Sequence, residues 1–198
     1  MRKNILFSAV ASLCLNFLLI HQLHAQSLEH NKSVESYHVG DKLPESFWKQ
    51  QHQFYQNGIA TTEKLEAYRG KFLLLDFWAS WCSTCLQKWP ALDSAQSEFP
   101  GQLRTILVNE KRNGDDLSKV KSKLDVFMVA GKPNSLITIY ADSLLGEQFP
   151  HRLIPHYIWI SANGEVLAIT GTDFANKQFI QQILQSQTIR TKKQKHTK

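Results

Sequence analysis

The apolar and polar positions of this chain fall into short segments of changing period. Lys71 to Ala79 (KFLLLDFWA) is a nearly continuous apolar run, the mark of a strand covered on both faces. It leads directly into a helical pattern from about Cys82 to Phe99, expected to be interrupted at Pro90. Leu103 to Val108 predicts a second buried strand. Asp115 to Asp125 predicts an amphipathic helix, with Leu117, Val120 and Leu124 on one face and acids in its first turn. Strand, helix, strand, helix implies a parallel sheet.

Upstream, Val39 to Pro44 reads as a turn entering the domain. An extended stretch near Phe47 to Tyr55, an Asn57-Gly58 turn and a short helix near Thr62 to Tyr68, stopped by Gly70, follow it. Downstream, a looser stretch around Ala130 to Ser135 precedes an extended segment at Leu136 to Tyr140 and a short helix at Asp142 to Phe149. His156 to Ile160 and Glu165 to Ile169 flank Ala162-Asn163-Gly164 as a hairpin, and Phe174 to Gln185 closes the domain with Phe179, Ile180, Ile183 and Leu184 inward. The pattern predicts an α/β domain, a mixed sheet flanked by helices, without internal repeats.

Composition changes this picture little. The chain has 198 residues, 42% apolar and 20% charged, which excludes a disordered, collagen-like or disulfide-dense scaffold and suffices for a sizeable core. The formal charge of +6 is a property of the ends: of 23 basic residues, Arg2, Lys3, Arg190, Lys192, Lys193, Lys195 and Lys198 are terminal, leaving 16 against 17 acids. A near-neutral body without a basic, aromatic-interleaved stripe argues against nucleic acid as a partner.

The N-terminus reads as an export signal: Arg2 and Lys3, an apolar stretch from Ile5 to Ile20, and Leu23-His24-Ala25 before a cleavage site. The stretch is 16 residues long and carries Ser8, Ser12 and Asn16, short of a comfortable membrane span; an uncleaved anchor is the alternative. Cys14 reads as a small hydrophobe. The chain is thus parsed into a signal peptide (1–25), a flexible segment (26–36), the α/β domain (37–186) and a basic disordered tail (187–198). Cleavage leaves two cysteines, Cys82 and Cys85, in an exported protein sent to an oxidising compartment, the periplasm.

Trp81-Cys82-Ser83-Thr84-Cys85 sits where the buried strand ends and a helix begins. A disulfide across so short a loop gives little stability, about 2 kcal/mol on the loop model, so structure alone does not explain the pair. The unpaired N–H groups and positive dipole end of the helix favour a thiolate at Cys82, the nucleophile, with Cys85 one turn further in as the resolving thiol. Zinc would need two more ligands, and the eight histidines show no finger spacing. Asp76, set among Leu73, Leu74, Leu75, Phe77 and Trp78, is expected to be desolvated, with its pKa raised, and to relay the proton of Cys85. Trp81 is expected to frame a substrate surface.

The segment Asp76-Phe77-Trp78-Ala79-Ser80-Trp81-Cys82-Ser83-Thr84-Cys85 resembles the active-site segment of thioredoxins. Val39-Gly40-Asp41-Lys42-Leu43-Pro44, Gly70-Lys71 and Ile154-Pro155-His156-Tyr157-Ile158-Trp159 make the exported TlpA/ResA-like thiol-disulfide oxidoreductases the closer overall likeness, over roughly residues 37 to 186. That resemblance implies a thioredoxin-like fold with an N-terminal β extension and a βα insertion. It implies that Pro155 is cis and lies against the cysteine pair, with the backbone of Ile154 left to pair with an extended substrate segment. It further implies protein disulfides as substrates, an apocytochrome segment in cytochrome c maturation being one, and a membrane-embedded electron donor. No organic cofactor is expected beyond the redox-active Cys82-Cys85 disulfide, and a monomer is expected.

Two positions depart from the resemblance. ResA-like proteins often carry Glu where this chain has Lys88, and Asn where it has Asp76. Lys88 is read as a solvated residue, with thiolate stabilisation as the alternative; His151 and His156 are read as structural, with modulation of Cys82 as the alternative. The activity expected is reduction or exchange of protein disulfides. A disulfide-donating oxidase and a redox-inactive binding module of the same fold are the rivals.

Overall fold

A computed structural model of the chain describes residues 34–127 and 135–196, with side chains to 186. The expected signal peptide and most of the flexible segment lie outside the described residues. The described residues from Ser36 onward belong to one compact unit. Its elements are α1 (Glu45–Trp48), β1 (Gln51–Gln56), β2 (Ile59–Lys64), a 3-10 turn (Leu65–Tyr68), β3 (Phe72–Trp78), α2 (Ser83–Glu98), β4 (Leu103–Glu110) and a second 3-10 turn (Lys111–Asn113). There follow α3 (Leu117–Phe127), β5 (Ile137–Asp142), α4 (Leu144–Gln148), β6 (His156–Ile160), β7 (Val166–Thr170), a third 3-10 turn (Thr172–Phe174) and α5 (Lys177–His196).

The seven strands form one mixed sheet in the order β2-β1-β5-β4-β3-β6-β7. The apolar runs of β3 and β4 put these strands at the centre, parallel to each other, with β5 parallel on the far side of β4. β6 lies antiparallel to β3 and to β7. The hairpin β1–β2 joins antiparallel to β5, and together with the β5–α4 unit supplies the expected N-terminal extension and insertion.

All seven residues of β3 are buried, and the period of two divides them between two cores. Phe72, Leu74 and Trp78 pack with Trp89, Leu92, Val120, Trp159 and Ile180 on one face. Leu73, Leu75 and Phe77 pack with Phe47, Ile106, Leu145, Phe149 and Ile158 on the other.

Four expectations are corrected. Phe47 and Trp48 belong to α1, not to the extended stretch, which starts at Gln51; Pro44 precedes the helix with φ −74°, a value that pre-sets a first turn. Thr62 is not the start of a helix: Asn57 (φ 50°) and Gly58 (φ 85°) form a tight two-residue turn that pairs Thr62 with Gln53, leaving only Leu65–Tyr68 as a 3-10 turn. α2 runs unbroken past Pro90, held on both sides of it by buried Trp89 and Leu92. The last helix continues beyond Gln185 to His196, through the expected disordered tail, because no Gly or Pro follows Gly171 to stop it.

Candidate functional site

The cysteine pair stands at the C-terminal end of β3. After Trp78 the chain turns once, Cys82 N–H donating to the Ala79 carbonyl at 3.0 Å. Cys82 is the N-cap residue of α2, and its sulfur accepts the Cys85 N–H at 3.2 Å. Cys82 and Cys85 are joined by a disulfide, with Cα atoms 5.3 Å apart. Cys82 is 7% exposed and Cys85 fully buried, so only the first of the two has any opening to solvent. A helix N-terminus at that sulfur is the arrangement that lowers a thiol's pKa once the bond is reduced.

The strand register brings the second expected segment to the same end of the sheet. Phe77 lies opposite His156 and Asp76 opposite Tyr157, so Pro155, one residue before His156, falls level with the end of β3 where the cysteine turn begins. The Ile154-Pro155 peptide bond is cis. Ile154 is half-buried, packing against both cores, whereas the neighbouring Leu153 is 82% exposed. Trp81 is 65% exposed, tethered by its indole N–H to the Asn113 carbonyl at 3.3 Å.

Asp76 alternates with Leu74 and Trp78, on the face of the sheet that carries the disulfide. It is fully buried, and neither carboxylate oxygen has a hydrogen-bond partner among the described residues. Burial alone drives its carboxyl well above the usual carboxylate range. The cross-strand neighbour Tyr157 is equally buried with an unpartnered hydroxyl; burial, then the Asp76 charge, pushes that phenol above its ordinary value.

Three other expected residues are placed away from the disulfide or without contacts to it. Lys88 is half-buried on α2 with no hydrogen bond or ion pair among the described residues. His156 alternates with Tyr157 and shares the second face with Ile158, opposite the disulfide. It stacks on His151 at 4.4 Å; burial foremost, then the His151 charge, depresses its pKa to about 4. His151 is held by Glu110, with Nε2 3.1 Å from Oε2, and Glu110 also receives Arg112 Nε at 2.9 Å. These histidines brace the 110–112 and 149–156 segments against each other, which is the structural role.

Sequence reasoning missed a polar brace beside the cysteines. Asp115 Oδ2 accepts the Ser80 N–H at 2.7 Å and Oδ1 accepts the Ser80 hydroxyl at 2.6 Å. Asn109 Nδ2 donates to Asp115 Oδ2 at 2.8 Å and to the Trp78 carbonyl at 3.3 Å, and Asn113 Nδ2 donates to the same carbonyl at 3.2 Å. The only sequence signal was a cluster of Asn, Gly and Asp between β4 and α3, which reads equally well as an ordinary connection.

Comparison with known proteins agrees with this fold. The thioredoxin family model matches residues 52–134. Thioredoxin-like protein YneN of Bacillus subtilis is 42% identical over 45 residues, 23% of this chain and 26% of that protein; the match therefore spans about a quarter of the relative. The thioredoxin domain of a thiol-disulfide oxidoreductase from Bacteroides vulgatus superposes with a TM-score of 0.55 at 18% identity, covering 75% of this chain and 99% of that one. A secreted disulfide oxidoreductase of Mycobacterium tuberculosis, homologous to E. coli DsbE, superposes with a TM-score of 0.55 at 13% identity, covering 70% and 99%. With its mixed seven-stranded sheet and a cysteine pair at the head of α2, the chain carries a thioredoxin-fold domain.

Proposed function

We propose that the protein is an exported thiol-disulfide oxidoreductase of the TlpA/ResA-like kind, which reduces or exchanges disulfides in other proteins through Cys82 and Cys85. The observation that carries this reading is the unequal burial of the two cysteines, Cys82 slightly open at a helix N-terminus and Cys85 fully enclosed behind it. A merely structural cross-link has no need of that asymmetry. In the reduced protein the Cys82 thiolate attacks one sulfur of a substrate disulfide, forming a mixed disulfide and releasing the other as a thiolate. Cys85 then attacks Cys82, the second substrate sulfur leaves, and two electrons have passed from the dithiol to the substrate. Asp76 acts as a relay: once it has released the proton that burial makes it hold, it takes the one that Cys85 must lose. An external dithiol donor, of the membrane reductant class, restores the pair, and no organic cofactor takes part.

Trp81, Ile154 and Pro155 form the substrate surface around Cys82, with the segment before β6 in the place where an extended peptide meets the sulfur. Export is supported by the charged, apolar and small-residue order of residues 1–25 and by likeness to a secreted neighbour. No helix among the described residues is long and apolar enough to cross a membrane.

Expression of the full chain with Cys85→Ser tests the reading, since the first step then proceeds and the second does not. Mixed disulfides with client proteins should accumulate on Cys82, and the wild-type protein should accelerate insulin reduction by dithiothreitol. A redox titration of the pair assigns the direction of transfer, a strongly oxidising potential marking a disulfide donor. Absence of both trapped clients and insulin reduction would overturn the assignment.

A further inference from the structure

We propose that Asp115 is a positioning residue for the Cys82 nucleophile, acting through Ser80 and the turn that carries Cys82 to the head of α2. This rests on the reading of Cys82 as the attacking sulfur. The turn from Trp78 to Cys82 has few bonds of its own: Ala79 O accepts the Cys82 N–H. Apart from the Trp78 indole, which donates to Thr138, its further side-chain ties run to the end of β4 and the segment after it. Asp115 takes both donors of Ser80, Asn109 and Asn113 hold the Trp78 carbonyl, and the Asn113 carbonyl holds the Trp81 indole. Residues 78, 80 and 81 are thus all bound to the stretch 109–115, and Asn109, fully buried, links the carboxylate to the strand end.

The chemistry of the two partners is specific. Only Ser or Thr at position 80 offers a hydroxyl beside its own N–H to both oxygens of one carboxylate, and only an acceptor at 115 can also receive the Asn109 amide. Burial pushes the Asp115 carboxyl up, but the Ser80 and Asn109 hydrogen bonds and the Lys119 charge together hold it below its ordinary value. The acceptor therefore stays ionised through the neutral range, where charge-assisted bonds are shortest and strongest. A turn fixed in this way keeps the Cys82 sulfur over the N–H groups of α2 after the disulfide opens, when the cross-link no longer holds it there. Orientation of a reacting atom is where positioning acts on rate.

The test uses the full chain in two formats. In the reduced Cys85→Ser background, the rate of iodoacetamide alkylation at Cys82 is measured from pH 4 to 10, the labelled cysteine being identified by peptide mass; this needs no substrate protein and reads the clamp even if the wild-type protein turns over no disulfide. With both cysteines present, insulin reduction gives kcat and KM. Asp115→Ala and Ser80→Ala should each raise the thiolate titration midpoint and lower kcat by ~10–100-fold, the scale of a misplaced reacting group, with KM little changed. Ser80→Thr should restore both. Because the two partners share the same bonds, the double variant should be no slower than Asp115→Ala alone. Ser80→Ala keeps the backbone bond, so it remains folded if Asp115→Ala does not. A titration midpoint and kcat within twofold of the parent protein in folded Ser80→Ala would overturn the proposal, as would strictly multiplicative losses in the double variant.

Discussion

Replacement of Asp76 by asparagine should make the oxidised protein's stability depend less on pH, in a direction fixed by burial. The carboxyl is fully enclosed, faces no cation and has no donor among the described residues, and its pKa lies well above the ordinary 3.8. Between that unfolded value and the native one, the folded protein keeps a proton that the unfolded chain has released. Stability contributed by the neutral acid is complete below the unfolded value and is lost as pH rises toward the native one. Linkage sets the slope: one proton of difference costs about 1.4 kcal/mol per pH unit. The substituted amide does not ionise, so any packing penalty it brings is constant with pH. Urea unfolding of the oxidised wild-type protein and of Asp76→Asn, from pH 4 to 8, should give a difference curve that moves in favour of the variant at up to that slope and then levels off. Working with the disulfide intact keeps the cysteines out of the titration. A flat difference across the range, or one moving in favour of the wild-type protein, would refute the reasoning, the second by showing that the carboxylate is paired after all.

Three further substitutions test other parts of the fold. Thr138→Val should cost about 1–3 kcal/mol in urea unfolding, because Trp78 Nε1 donates to the Thr138 hydroxyl at 3.1 Å and a buried donor would lose its acceptor; a loss under about 0.5 kcal/mol would show that the indole finds another. Gly146→Ala places a Cβ 1.9 Å from Glu110 Oε1. Crowding of about 1–3 kcal/mol should then outweigh the helix-propensity gain of about 1 kcal/mol, lowering the melting temperature. For Glu110, burial pushes the carboxyl up but the His151 and Arg112 hydrogen bonds outweigh it, holding it below 4.5. A depressed acid stabilises above its unfolded pKa and loses that contribution as pH falls through the native value, so the wild-type protein's advantage over Glu110→Gln in melts from pH 3 to 7 should shrink below pH 4.5.

The parts of the molecule legible in the sequence are those where burial alone decides. β3 is enclosed on both faces, so its apolar run carries no ambiguity, and the switch at Cys82 to a helical period marks the site. The hairpin at Ala162-Asn163-Gly164 is fixed locally by turn chemistry. β2 escapes detection because its residues are almost all exposed at a sheet edge; IATTEK has no apolar alternation to read, and only its pairing with β1 makes it a strand. α1 is one turn long, too short to show a period. The brace at Asp115 and the buried pair His52–Asp142, 3.5 Å apart, join residues dozens of positions distant in the chain, and side-chain hydrogen bonds of that kind leave no periodic trace.

The β1–β2 hairpin also decides what the sheet presents along one margin. Without it, β5 would border the sheet and offer Ile137, Ile139 and Tyr140 beside bare backbone groups, a ready template for any extended chain. A ribbon bearing Thr61, Thr62, Glu63 and Lys64 occupies that margin instead. That margin is thereby mostly hydrophilic, with Ile59 its one bare large apolar side chain among the described residues, while beside the cysteine turn Trp81 and Leu153 stand out from the surface.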